Sequence, residues 1–359
     1  MNTATCCRLL ANRFSLALGG LALLLFLTAA PALAQQSTLD KAKEKYQFAE
    51  YDTAIQLFSD VAKNTDAPES MRRTALRYLG RAYIAQNDRD EAKEAIKQLV
   101  TLEPPMTKLD PDVEPPPVME LYYQVRKELD GNYQVKQESP GLQTLAVMDF
   151  NNNSISNPDR WSGLQQGLPS MMINYLNGGT DLKVIERERI QWLLDEIELQ
   201  SQDDVVDQST AVRTGQLLGA NAVVFGHYIV HDGEMMVQAR VVKVETGEVL
   251  LGEQVKGQPG AFADLVQDLS TQVTRSLNVE LEEAKTGMSE TKSLDAMMAY
   301  SDGLALLEDG RYRAAYEKFL KALDHDADFR KAKRKAESLR PMLAGAGVSG
   351  SNAPSSINR

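Results

Sequence analysis

The stretch Leu217 to Gly257 constrains the fold of this chain most. It reads as three strands in succession joined by two tight turns. Asp232-Gly233 closes the first hairpin, because a two-residue turn needs positive φ, which Gly adopts freely and Asp tolerates. Thr246-Gly247 closes the second. In the middle strand Met235, Val237, Ala239 and Val241 alternate with Met236, Gln238 and Arg240, a period of two with one face turned to a core. The pattern then slips, since Val242 and Val244 take the other parity. Either a bulge near Val241-Val242 or burial of both faces at that end accounts for the slip.

Helices surround this meander. Leu145 to Phe150 is a short apolar strand, followed by a polar loop and an amphipathic helix from Trp161 to Leu176 that Asn177-Gly178-Gly179 stops. Leu182 to Ile185 forms another strand, and a helix follows through Ile190, Leu193, Leu194 and Ile197. Ser201 to Thr210 is polar and acidic, Ala211 to Leu218 is a short helix, and Phe262 to Leu281 closes the region as a helix. The order β-α-β-α-α-β-β-β-α combines strand–helix crossovers with an antiparallel meander. We expect one mixed sheet with helices packed on it over residues 144–283.

Both flanks show helical repeats. Leu76, Leu79, Gly80 and Tyr83 are followed by Ala92, Ile96, Leu99 and Pro104. Small residues at Gly80 and Ala92 let two antiparallel helices approach closely. This spacing resembles the tetratricopeptide repeat position by position. Ala42, Ala54 and Phe58 match in the preceding unit, where Lys45 replaces the usual large residue. Ala54 and Ala92 lie 38 residues apart, which implies a longer loop around Thr65-Pro68. Ala299, Gly303, Leu306, Ala315, Phe319 and Ala322 restore the pattern near the C-terminus. A capping helix from Phe329 to Leu343 carries Arg330, Lys331, Lys333, Arg334 and Lys335, which we read as an exposed basic face. The expected organisation is repeats at 37–129, a linker at 130–143, the α/β domain at 144–283, further repeats at 289–343 and a disordered tail at 344–359. Six prolines between Pro104 and Pro117 make that stretch an extended loop, and a helix from Val118 to Leu129 follows it.

Residues 1–34 read as a secretory signal peptide: Arg8 and Arg13 flank an apolar run from Phe14 to Ala30, and Ala32-Leu33-Ala34 is the cleavage signal. Cys6 and Cys7 are the chain's 2 cysteines and both lie in that leader, so the mature chain offers no disulfide, thiol nucleophile or thiolate ligand. Neither cysteine follows the apolar run, as a lipid-anchored protein requires. Without Arg8 and Arg13 the basic residues fall from 39 to 37 against 50 acids, a balance of −13. That balance argues against nucleic acid and anionic membrane as main partners. No second apolar run is long enough to span a bilayer as a helix.

Residues 144–281 resemble the CsgG-like family, the curli-secretion channel and its relatives, and the related TolB amino-terminal-like domains. LAVMDF at 145–150, VIERERIQWLLDE at 184–196, TGQLLGANAVVFGHY at 214–228 and ARVVKVETGEVL at 239–250 carry the resemblance. The resulting fold class is α/β, a mixed-sheet CsgG/TolB-N-like domain with all-α tetratricopeptide-like regions on both sides. The resemblance implies a bacterial envelope protein, periplasmic and either free or associated with the outer membrane, used for assembly rather than catalysis. Channel-forming members carry two long insertions that become membrane β-hairpins. Here the first gap is short and acidic and the second is only Asp232-Gly233, so no pore is expected.

Candidate chemistry is sparse. His227 and His231 share a strand face, but Asp232 is the only further ligand nearby, and the set falls short of a zinc site. Asp149, Asn151 and Asn153 imitate a calcium loop, yet Ser154 stands where Gly is required and Arg160 where Glu is. No phosphate-binding glycine motif or catalytic constellation is present, so we expect neither cofactor nor enzymatic activity. Glu186-Arg187 reads as an ion pair or cap where a strand enters a helix. The repeat resemblance places Lys43, Tyr46, Arg77, Arg81 and Ile84, and separately Tyr300 and Leu304, on the groove-lining helices. There the basic cluster suits an acidic peptide or a C-terminal carboxylate. Envelope proteins or peptides are the expected partners. A scaffold, a peripheral ring subunit of a secretion channel and an activator of an envelope enzyme are the open alternatives, with homo-oligomerisation undecided.

Overall fold

The computed structural model describes residues 35–103, 108–135, 143–197, 207–280 and 291–348. The expected signal peptide at 1–34, the acidic stretch 198–206, residues 281–290 and the expected tail beyond 348 lie outside the described residues. The chain divides into two compact units, one ending at Met106 and the other beginning at Thr107.

Among its described residues the first unit holds four helices: α1 (35–47), α2 (Tyr51–Lys63), α3 (Glu69–Ala85) and α4 (Arg89–Thr101). Apolar residues at helical spacing meet between them, and Ala42, Ala54, Phe58, Ala75, Ala92 and Ile96 are fully buried. Gly80 carries the close approach of α3 and α4, since a Cβ there would stand 2.8 Å from Ile96 Cδ1. Between α2 and α3 the longer loop forms an Asx turn, with Asp66 N–H donating to Asn64 Oδ1 at 2.9 Å.

The second unit begins with α5 (Pro116–Asp130), then β1 (Thr144–Asn152), α6 (Pro158–Trp161), α7 (Leu164–Gly179), β2 (Lys183–Val184), α8 (Arg187–Glu196) and α9 (Gln208–Leu218). The meander β3 (Ala222–His231), β4 (Glu234–Lys243) and β5 (Val249–Gly257) follows, and α10 (Phe262–Ser276) packs on it. Strand order is β2-β1-β3-β4-β5; β1 pairs parallel with β2 and β3, and the last three strands are antiparallel. Helices α8 and α9 cover one face through Ile190, Leu193, Ala211 and Leu218, packed on Ala146, Met148, Val223 and Phe225. The opposite parity, with Val224 beside Val241 and Tyr228 beside Val237, meets α7 and α10.

Both explanations of the slipped alternation in β4 hold. The β4–β5 register shifts between Val241 and Val242, and Val241 and Val242 are fully buried. At the first turn Asp232 has φ 50° and Gly233 φ 79°, the left-handed pair of a tight hairpin. The second connection is wider than a two-residue turn. It runs from Val244 to Glu248, with Gly247 at φ 71° donating to the Lys243 carbonyl at 2.8 Å.

Helix α5 belongs to the second unit rather than to the repeats. Its Tyr123 ring lies 5.7 Å from Trp192 of α8, and Lys127 pairs with Glu196 at 2.6 Å. The start of the expected linker is also engaged, as Val135 N–H donates to the Leu218 carbonyl at 3.0 Å. At the C-terminus α11 (Leu294–Glu308) packs on α12 (Tyr312–His325), and α13 (Arg330–Val348) packs on α12. Gly303 admits Phe319, whose Cε1 would stand 2.5 Å from an added Cβ. Helix α11 seats on α7 at two glycines: a Cβ on Gly163 would meet Asp302 Oδ1 at 2.6 Å, and one on Gly167 would meet Met297 Sδ at 3.0 Å.

Candidate functional site

Helix α3 places Arg77, Arg81 and Ile84 on one face at spacings of four and three. Arg77 and Ile84 are half-buried. Arg81 is 9% exposed, its guanidinium 4.8 Å over the Tyr78 ring. Tyr46 is buried between Tyr51 and Tyr78, at ring distances of 5.7 and 5.4 Å. Both residues therefore serve the unit's own packing. Lys43 is half-buried and pairs with Asp40 at 3.7 Å. Lys43, Arg77 and Ile84 remain as the accessible part of the expected groove.

Tyr300 and Leu304 do not lie on an open groove. They are buried on the α7 side of α11, where Tyr300 packs on Phe319 at 5.6 Å and on Phe329 at 4.9 Å. Two helices and a cap cannot bury their apolar residues alone, and α7 supplies the missing surface. Together with Ser170, Ile173, Asn177, Lys331 and the loop Lys108–Asp112, Tyr300 and Leu304 line a cleft of about 450 Å³.

A buried ion network stands beside this cleft. Arg187, at the start of α8, donates Nε to Asp149 Oδ1 at 2.8 Å and Nη2 to Asp149 Oδ2 at 2.7 Å, and it also contacts Glu308 at the end of α11. One guanidinium thus serves two carboxylates. Burial pushes the Glu308 carboxyl up to about 7, aided by the nearby Asp149 charge and opposed by Arg187. A second cluster joins Lys335 to Glu188 at 2.7 Å and to the Pro111 carbonyl at 3.0 Å, while Arg334 reaches Asp112 at 3.0 Å. Burial alone would raise the Glu188 carboxyl; the Lys335 ammonium outweighs it and holds the group at about 2. Burial likewise opposes the charge on Lys335, but Glu188 and Asp112 prevail and raise it.

The expectation of an exposed basic face on α13 is thereby corrected at three of its five positions, with Lys331 and Arg334 half-buried. Arg330 and Lys333 are exposed, but Lys335 is 3% exposed because Glu188 and the Pro111 carbonyl satisfy it from across the interface. The reading of Glu186-Arg187 as ion-pairing residues is sharpened. Arg187 takes Asp149, and Glu186 takes Lys108 at 2.9 Å. Asp149, met in the calcium-like motif, is spent on Arg187. No local signal pointed to Glu308 or Lys335 as partners, since each lies more than a hundred residues from the group it meets.

His227 is half-buried on the sheet face not covered by α10, in a recess of about 230 Å³ shared with Asn151, Asn153, Asp207, Gln238 and Arg240. Burial lowers its pKa, and Arg240 adds to that. His231 lies beside Asp232 at 3.3 Å on the exposed turn. Among the described residues no three His, Cys, Asp or Glu groups converge as a metal site.

No curated protein matches the chain. Among solved structures it is similar to the LpoB C-terminal domain from Escherichia coli at 16% identity, covering 34% of this chain and 87% of that one with a TM-score of 0.26. It is similar to the same domain from Salmonella enterica at 18% identity, covering 34% and 88% with a TM-score of 0.25. Lipoprotein GNA1162 from Neisseria meningitidis is similar at 16% identity, covering 37% and 98% with a TM-score of 0.28. The family that the sheet domain matches, from the end of α5 to the β3–β4 turn at residues 130–233, is the curli production assembly/transport component CsgG.

Proposed function

We propose that this chain is an exported, non-enzymatic scaffold of a bacterial envelope that takes part in assembly by binding partner proteins. The match of residues 130–233 to the CsgG family carries this reading. The separate helical unit supports it, because paired helices with a half-exposed basic stripe suit an acidic peptide or a terminal carboxylate. Lys43, Arg77 and Ile84 are the residues we assign to that contact. Among the described residues no helix is long and apolar enough to cross a membrane, in keeping with a periplasmic protein that associates with the outer membrane through its partners.

A peripheral ring subunit is the second reading, favoured by the transport component named in the family description. The tight Asp232-Gly233 turn leaves no room in that hairpin for a membrane-spanning insertion, so such a ring would rest on other proteins. The absolute mass of the exported protein by light scattering separates the two: a monomer or dimer fits the scaffold, and a discrete large oligomer fits the ring. Cross-linking in the envelope with wild type and with Lys43→Glu/Arg77→Glu then tests the groove. A partner retained equally by both proteins refutes the assignment of these residues.

A further inference from the structure

The two faces of β4 are covered unequally. Met235, Val237, Ala239 and Val241 are fully buried on the α10 side. On the other side Met236 and Gln238 are half-buried and Arg240 is exposed. Directly paired residues of neighbouring strands share a face, so the register extends this open surface across the sheet. Met236 lies between Ile229 and Lys256, Gln238 lies between His227 and Gln254, and Arg240 lies beside Phe225. Helices α8 and α9 cover the face as far as Phe225, which is 5% exposed. Beyond it His227 and Ile229 are half-buried, and Gln254 and Lys256 are exposed.

This open surface is basic in a chain whose net charge is −11. Arg240 and Lys256 are its cations; His227, whose pKa burial lowers, adds no charge at neutral pH. Two carboxylates border it. Asp207, at the rim of the recess around His227, caps α9 by accepting from Thr210 N–H at 2.8 Å, and Glu234 pairs in register with His231 beside the hairpin turn. Lys127, Lys318 and Lys335 each meet a carboxylate, whereas among the described residues Arg240 and Lys256 meet none. We infer that this surface docks an acidic amphipathic helix of a partner protein, its apolar side on Ile229 and Met236 and its carboxylates on Arg240 and Lys256. A helix continues the layer that α8 and α9 begin on the same face. Lys256 pairs with Met236, four positions from Arg240, so the two cations stand about 14 Å apart along the strands at ~3.4 Å per residue. A helix covers that span in about nine residues, and a partner segment of three turns reaches both. A second copy related by a two-fold axis would set the same two cations against themselves, so the complementary charge comes from a different chain. The inference rests on the scaffold reading but not on the stripe of Lys43 and Arg77.

Photo-cross-linking in the cells that make the protein tests the surface. Benzoylphenylalanine takes the place of Gln238 or Gln254 in the full chain, and mass spectrometry reads the cross-linked segment. Gln254 is exposed, so that position remains if the half-buried Gln238 position disturbs the sheet. The expected adduct joins these positions to one acidic segment of another protein with apolar residues at helical spacing. Its yield should fall at least tenfold in Arg240→Glu/Lys256→Glu, recover when the acidic residues of the captured segment are changed to lysine, and stay unchanged in Lys43→Glu/Arg77→Glu. Equal yield from wild type and Arg240→Glu/Lys256→Glu overturns the proposal. So do adducts confined to a second copy, to residues 198–206 of the same chain or to lipid. Silence at both positions also overturns the docking surface; the scaffold reading falls with it only if cross-linking through the helical stripe captures no partner either.

Discussion

Replacing Glu308 with Gln should stabilise the second unit at neutral pH, although it removes a charge from a buried ion pair. Arg187 is already held by both oxygens of Asp149, so Glu308 brings a second negative charge to one positive one. Folding raises its carboxyl from 4.5 to about 7. Between those values the folded state binds more protons than the unfolded state, so stability is present in full below pH 4.5 and is lost as pH rises through 7. The 2.5-unit rise corresponds to about 3.4 kcal/mol at ~1.36 kcal/mol per unit. This is an upper bound, because the side chain keeps 21% of its exposure and water screens it. A gain of about 1–2 kcal/mol at pH 7.5 is the expected outcome after that screening, shrinking as pH falls and vanishing below about pH 4, where the group is protonated in both states. Gln keeps an oxygen that accepts from Arg187, so the geometry survives. Glu188 does not interfere, since it titrates near 2. Urea unfolding followed by tryptophan emission is the assay; Trp161 and Trp192 both lie beyond Met106, so the signal reports this unit alone. A Gln variant less stable than wild type at pH 7.5, or one with the same decline between pH 5 and 7.5, would refute the reasoning and show that Arg187 keeps the Glu308 carboxyl from rising on folding.

Lys335→Met strands the Glu188 carboxylate in a buried site and should cost about 3–5 kcal/mol at pH 7; the loss should shrink as pH falls toward 2 and Glu188 is protonated in both states. Gly303→Ala drives a methyl group against the Phe319 ring and should cost about 1–3 kcal/mol, whereas Gly80→Ala meets only the mobile end of Ile96 and should cost less in the first unit, as read by helix circular dichroism. Gly233→Ala keeps open space but forces φ 79° on an L side chain; a loss of about 1–2 kcal/mol is expected, visible as a lower urea midpoint with an unchanged slope.

The elements were legible where periodicity and turn chemistry agree. The parity slip at Val242 announced a real register shift, and Asp232-Gly233 announced a real hairpin. Partners at long range were not legible. The apolar stripe of α5 says that one face is buried but not against what, so the helix joined the repeats in the sequence reading and Trp192 in the fold. Lys335 reads as one lysine in a basic run; only the fold brings Glu188 beneath it. Tyr300 and Leu304 sit at repeat positions that face a groove in a long array, but this short block has no further repeat to complete one.

That shortfall explains why the C-terminal block is fused to the sheet domain. A terminal repeat with nothing stacked on its inner face must cover that face, cap it with polar residues or aggregate. Here α7 covers it, and Gly163 and Gly167 bring the backbones close enough for Met297 and Ser301 to seat. Apolar contact of this kind is non-directional and would tolerate sliding. The ion pairs are directional: Arg187 ties α8 to the end of α11, and Lys335 ties it to α13. Their net contribution to stability is small once desolvation is counted, so their effect lies in register. The glycines set how near α11 stands, and the charges set where it stops.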